Sequence, residues 1–188
     1  MVTAHHFTLD TDRLHIRPFV LDDLDALSTV VFEDASTDIR REWLAWQVAN
    51  YTALARLWQP PYGDRAITRK DTGEVIGSVG FVQSWGPFDK LPYFRSLLKQ
   101  PPTDRSRPEF GMFWTMRADQ RGQGYATEAA RAMIDYAFRE WHVQRIVATT
   151  EYDNAASLSV MRKLGMTIER NPDPQPEWFQ AVGVVEGQ

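Results

Sequence analysis

The residues with the most pointed chemistry stand together in one run, Asp119-Gln120-Arg121-Gly122-Gln123-Gly124-Tyr125-Ala126-Thr127-Glu128-Ala129. Before it comes aromatic, strand-like sequence, Phe110-Gly111-Met112-Phe113-Trp114-Thr115-Met116, and after it a helical pattern. Strand, glycine loop and helix is a layout that binds anions. Gly122 and Gly124 let the backbone turn tightly and come close to a ligand. The unpaired N–H groups of the following helix's first turn point at the same spot, where the helix dipole favours negative charge. A pyrophosphate fits that geometry. Two other phosphate-binding patterns are excluded. The dinucleotide fingerprint needs a third glycine, and the Walker loop needs a Gly-Lys-Ser/Thr that does not follow here. Taken alone, the glycine pair reads equally well as a plain strand-to-helix turn. The chain has no cysteine, which excludes disulfides, thiolate nucleophiles and cysteine-based metal sites. Its His and acidic residues show no ligand spacing such as His-Glu-x-x-His, so no metal is expected.

A second block lies downstream, Asn154-Ala155-Ala156-Ser157 followed by Lys163-Leu164-Gly165-Met166. With this block, the chain resembles the GNAT acetyltransferases. Arg121, Gly124 and Ala126 fill the three fixed places of that family's acetyl-CoA signature: Gln or Arg, two residues, Gly, one residue, then Gly or Ala. The downstream block is similar to the Asn-x-x-Ser and Lys-Leu-Gly-Phe of the branch that includes the ribosomal-protein acetyltransferases. The resemblance covers roughly residues 7–185, with an unusual segment in the middle.

The resemblance implies an α/β (α+β) fold with a mixed, mostly antiparallel central sheet flanked by helices. It implies acetyl-CoA as co-substrate, bound where the glycine-loop strand splays from the next strand, Ile146–Thr150. Backbone N–H groups of Arg121, Gly122, Gln123, Gly124, Tyr125 and Ala126, with Thr127 in the same helical turn, would hold the pyrophosphate. The pantetheine arm would pair with the backbone of Trp114, Thr115 and Met116. Asn154 and Ser157 would sit beside the pantetheine and the sulfur. Arg162 and Lys163 would either attract the adenosine phosphates or be solvated surface charges.

The implied reaction is direct acetyl transfer to a primary amine, on a protein N-terminus or a small molecule, with no covalent intermediate. Such a reaction needs a polarised carbonyl, a deprotonated amine and, for the leaving thiolate, a proton. Many relatives carry a tyrosine four residues before the Lys-Leu-Gly glycine as general acid; here that position is Met161. Ser157 is then the candidate to protonate or stabilise the sulfur, its other reading being a cap of its helix. Glu109, at the start of the glycine-loop strand, is the candidate base, although the usual acidic position falls nearer Gly111. Glu151 is the second candidate. An alternative function is a non-catalytic acyl-CoA-binding sensor or scaffold, which Met161 in the tyrosine's place keeps open.

These groups need a scaffold, and 188 residues suffice for one domain. With 43% hydrophobic and 24% charged residues, the composition is that of a globular chain. A formal charge of −4 argues against a nucleic-acid partner. No apolar run approaches the ~20 residues of a membrane span, and residues 1–10 do not read as a secretory signal, so a cytoplasmic protein is expected. Leu14–Phe19 alternates as a strand that ends at Pro18, and Asp22 is placed to cap a short helix. A helix is predicted from about Arg40 to Trp58, burying Leu44, Val48, Tyr51, Leu54, Ala55 and Trp58. Trp43 and Trp46 lie off that stripe and either pack on a loop or line an acceptor pocket. A hairpin over 65–82 turns at Asp71-Thr72-Gly73-Glu74. Residues 85–108, with five prolines and four aromatics, read as an inserted loop holding a short helix near 93–99, and as either an acceptor wall, a dimer contact or a surface flap. Helices over Thr127–Trp141 and Ala155–Leu164, a strand over Arg145–Thr150 and a last strand over Trp178–Val185 complete the pattern. A homodimer is compatible with the exposed aromatics.

Overall fold

Apolar and β-branched runs make strands in the first half of the chain, and helices between and after them supply their cover. The computed structural model describes residues 6–31 and 34–187; the N-terminal end expected to be loose, His5 included, lies mostly outside them. The element order is β1 (Leu9–Asp10), β2 (Leu14–Pro18), α1 (Leu27–Val30), α2 (Thr37–Arg56), β3 (Gly63–Arg69), β4 (Val75–Gly86), α3 (Pro92–Ser96), β5 (Arg107–Met116), α4 (Tyr125–Trp141), β6 (Arg145–Thr150), α5 (Ala155–Lys163), β7 (Thr167–Arg170) and β8 (Ala181–Glu186). The strands follow the order β1-β2-β3-β4-β5-β6-β8-β7. β1 with β2, β2 with β3, β3 with β4, β6 with β8 and β7 with β8 pair antiparallel, and β5 pairs with β6 in parallel. This is the mixed, mostly antiparallel sheet that the sequence implied.

The chain divides into two compact units, one of residues up to Phe81 with Phe113–Met133, the other of Val82–Met112 with Ile134–Gln188. In the first unit, β1 to β3 and the start of β4 form the antiparallel part. The hairpin turns where expected, with Gly73 at φ 74°. Phe19, Leu27, Val30, Leu44, Ala66 and Val75 form its core under α1 and α2. The helix at α2 starts earlier than its apolar stripe suggests, because Ser36 caps it by accepting from the Ile39 N–H at 3.3 Å. Gln47, not an apolar residue, fills one core position beside Leu44 and Tyr51. Trp58 lies past the helix end at φ 58° and is 77% exposed, so it is no core residue. Trp43 packs edge-on against Phe19, while Trp46 is exposed. Asp22 does not cap; the neighbouring Asp23 is buried, takes both Arg17 guanidinium nitrogens at 2.7 Å and accepts from the Val20 N–H.

In the second unit, β8 lies between β6 and β7 and pairs with β6 along its whole length. The strand β7 escapes sequence reading because only four residues separate Met166 from Asn171. The segment after Trp85 holds the short helix expected within it, and residues 97–106 form no helix or strand. It continues β4 to Gly86, then makes a 3-10 turn at Phe88–Lys90 and the helix α3. Phe88, Leu91 and Phe94 are fully buried against Val147, Phe179, Val182 and Val184. Gly86 makes room for this: a Cβ there would stand 2.6 Å from the Phe179 ring.

Candidate active site

The glycine loop belongs to the first unit, and its geometry is the one that an anion needs. After β5 a 3-10 turn at Ala118–Gln120 leads to Gly122 at φ 76° and Gly124 at φ 85°. Both values lie in the left-handed region, so glycine is required by conformation rather than by space; a Cβ on Gly122 would meet nothing within 4 Å. Glu128 N–H returns to the Gly124 carbonyl and starts α4. No acceptor among the described residues takes the N–H groups from Gly122 to Thr127. Six consecutive donors therefore stand open at a helix N-terminus.

The loop is braced on both sides. Arg117 donates to Asp119 at 2.7 Å, and its guanidinium lies 3.4 Å from Glu74. The Arg117 bond, with a second from Gln120, holds the Asp119 carboxyl below the usual carboxylate range. On the other side, Glu128 accepts from Thr11 Oγ1 at 2.6 Å, from the Arg13 N–H at 3.0 Å and from Arg13 Nε at 2.7 Å. Burial pushes the Glu128 carboxyl up, but these donors outweigh it and hold it low. Arg13 also donates to the Gln123 carbonyl at 3.1 Å and covers the buried Tyr125 ring at 4.4 Å. The partners of Glu128 lie 115 and 117 residues away and leave no local signal in the sequence.

The other expected cofactor contacts in this unit are backbone ones. Thr115 Oγ1 is spent on the Val30 carbonyl at 3.3 Å. The Met116 side chain is buried against Gly77, its sulfur 2.7 Å from where a Cβ on that glycine would be. The Met116 carbonyl accepts from Arg121 Nε at 3.0 Å. Trp114 is half-buried. A cleft of about 450 Å³ opens beside the loop, lined by Ser28, Thr29, Arg117, Ala118 and Asp119.

The second unit holds the other motif. Asn154 caps α5 by accepting from the Ser157 N–H at 3.0 Å, and its amide lies 3.4 Å from Glu151 Oε2. The Ser157 hydroxyl has no partner among the described residues, so Asn154, not Ser157, is the cap. Glu151 is held low by its own backbone N–H, by Thr150 and by Asn154. The α5 terminus closes as the Lys-Leu-Gly run predicts: Gly165 takes φ 79°, its N–H reaches the Arg162 carbonyl, and the Met166 N–H reaches the Met161 carbonyl. Met161 is 1% exposed, its sulfur 3.1 Å from where a Cβ on Gly183 would be. The position of the expected tyrosine is here a packing position.

Glu109 does not stand as a free carboxylate. Arg145 Nη2 and Nε donate to its two oxygens at 2.7 and 2.8 Å, and Arg107 lies 3.7 Å away. The Arg107 and Arg145 guanidinium groups lie over the Phe94 ring, at 5.2 and 5.4 Å. The sequence placed the acid correctly on β5 but could not show its partner at the start of β6. The β5–β6 ladder itself holds one register pair, Gly111 with Val147.

Comparison with known proteins agrees with this arrangement. Residues 13–167 match the family model described as an acetyltransferase (GNAT) domain. The chain belongs to the GNAT acetyltransferases. It is 30% identical to the Bacillus subtilis protein YkkB, over 95% of this chain and 94% of that one. Among solved structures, a GNAT-family acetyltransferase from Bacillus anthracis superposes with a TM-score of 0.68 at 19% identity, covering 96% of this chain and 99% of the other. RimL, a ribosomal-protein alpha-N-acetyltransferase solved with coenzyme A, superposes with a TM-score of 0.64 at 16% identity, covering 95% and 96%. These two likenesses are of fold. Membership makes the chain an acyltransferase, and acetyl-CoA is the co-substrate of its family. Among the described residues no helix is long and apolar enough to cross a membrane, and no group of His, Asp and Glu could hold a metal ion.

Proposed function

We propose that this chain transfers the acetyl group of acetyl-CoA directly to a primary amine, a protein N-terminal amine or a small-molecule amine. The observation that carries the reading is the row of open N–H donors from Gly122 to Thr127 at the start of α4. A pyrophosphate is the ligand such a row suits, since it accepts several N–H bonds and carries the charge the helix dipole favours. Acetyl-CoA supplies the activated thioester. The backbone of Trp114 to Met116 and the Asn154–Ser157 turn are the further candidate contacts to it.

Ser157 takes the role of hydroxyl donor toward the leaving sulfur, supported by its free hydroxyl and by Asn154 relieving it of capping. Glu109 takes a positioning role through Arg145, because both its oxygens are engaged. The sensor reading rested on Met161, and a buried packing position gives it no support. RimL acts on a ribosomal-protein α-amine by its name, which favours an N-terminal amine among the acceptors.

Calorimetric titration with acetyl-CoA, CoA, ATP and NAD tests the reading. Binding of acetyl-CoA and CoA alone is expected, followed by thiol release when amines or N-terminal peptides are added. A folded protein that binds no CoA would refute it.

A further inference from the structure

One half-buried carboxylate stands apart from both motifs. Asp64 lies on β3, in the first unit, and its carboxylate accepts from Ser78 Oγ on β4 at 2.6 Å. No ion pair reaches it among the described residues. The neighbouring Arg65 projects to the opposite face of the strand, where it lies over the Phe7 and Tyr51 rings. From α2, the Tyr51 hydroxyl and the Gln47 amide both donate to the Asp64 carbonyl rather than to its side chain. Arg65 and Tyr51 are thus the titratable groups packed around it, with no cation on its own face. A partly desolvated charge whose donors, Ser78 and its own backbone N–H, are both neutral costs the fold stability.

The surroundings show what such a carboxylate is suited to. The residue directly across the ladder is Gly80, so the one β4 side chain that the described hydrogen bonds bring to Asp64 is that of Ser78. A Cβ at Gly80 would collide with the Gly63 carbonyl oxygen and stand 2.8 Å from Phe113 Cζ. The Phe113 ring therefore occupies the place that a larger residue would take, beside the Asp64–Gly80 pair. Phe113 lies on β5, shortly before Met116 and the turn into the glycine loop. A half-buried carboxylate with a hydroxyl but no cation bonded to it, on a strand pair flanked by an aromatic ring, is a setting for an ammonium group, which gains charge pairing from one and the ring quadrupole from the other.

We propose that Asp64 binds the protonated acceptor amine and takes its proton. One proton passes from the ammonium nitrogen to a carboxylate oxygen, leaving a neutral amine whose lone pair is free to attack the thioester carbonyl. This rests on the acetyltransferase reading above and names its acceptor subsite. Burial raises the Asp64 carboxyl to about 6, against the opposing pull of Ser78 and Arg65. An α-amino group, near ~8, is then a closer proton donor than a lysine-type amine near ~10.4.

The test is calorimetric titration of the free and the CoA-loaded protein with the amide of trialanine, beside its N-acetylated form. Wild type should bind the free amine and not the acetylated one, and lose that binding as pH falls through about 6. Asp64→Asn should weaken amine binding at least about tenfold while leaving acetyl-CoA binding unchanged. Ser78→Ala keeps the carboxylate but removes its donor, so the acid limb should move to higher pH. Equal amine binding by wild type and Asp64→Asn, no amine binding by wild type, or a Ser78→Ala limb that does not move would each overturn the proposal. Thermal unfolding supplies a control: at about pH 7, removing a costly charge should leave Asp64→Asn as stable as wild type or more so, whereas a carboxylate kept for structure would be missed. Loss of CoA binding in wild type would refute the acetyltransferase reading, and the amine arm on free protein would still decide Asp64.

Discussion

Gly124 shows how one residue's backbone decides a site. At φ 85° it takes a conformation that costs an L side chain roughly 1–2 kcal/mol. Gly124→Ala should therefore weaken acetyl-CoA binding about tenfold by calorimetry, by reorienting the open N–H groups. Ser157→Ala should leave acetyl-CoA binding intact and lower kcat, the split expected when a group acts only in the transition state. Glu128 sets a pH dependence. Its folded carboxyl is held low, so its contribution is present above the ordinary glutamate value and is lost as pH falls through the folded one. Glu128→Gln should lower stability by roughly 1 kcal/mol near neutrality, and the difference should vanish in acid, as thermal unfolding over pH would show. The glycine loop was legible in sequence because its chemistry is local. The clamp from Thr11 and Arg13 was not, since nothing near Glu128 in the chain announces it.

At the scale of elements, the pair between β5 and β6 matters most. Glu109 and Arg145 are largely buried, with side chains 6% and 16% exposed. Removing one partner of such a pair costs about 3–5 kcal/mol. Arg145→Met should destabilise strongly in urea unfolding, and Glu109→Gln should do so less, because its amide still accepts one bond. A Glu109→Gln enzyme that folds should keep an unshifted acid limb of its rate profile; a lost limb would return Glu109 to the role of base. Elements with a clear period were read well: β3, α4, β6 and α5 stand within a few residues of expectation. Those without one were not. The strand β7 is too short to alternate visibly, and α2 owes its start to the Ser36 cap and one core position to Gln47, which a search for apolar residues passes over.

For the molecule as a whole, the segment from Pro87 to Ser106 changes its meaning. Proline and aromatic content suggested an inserted loop holding a short helix, but composition does not reveal burial. Phe88, Leu91 and Phe94 are fully buried, and at about 1.5–3 kcal/mol each they match much of a domain's net stability of about 5–15 kcal/mol. Deleting the segment should abolish the cooperative unfolding transition rather than alter the acceptor profile. The strand order holds a further consequence. β8, which follows both β6 and β7 in the chain, lies between them in the sheet. During synthesis on the ribosome those two strands must wait, edges bare, for the segment that joins them. Such edges recruit other chains. A premature stop after Gln180 should thus yield inclusion bodies rather than a shortened folded enzyme.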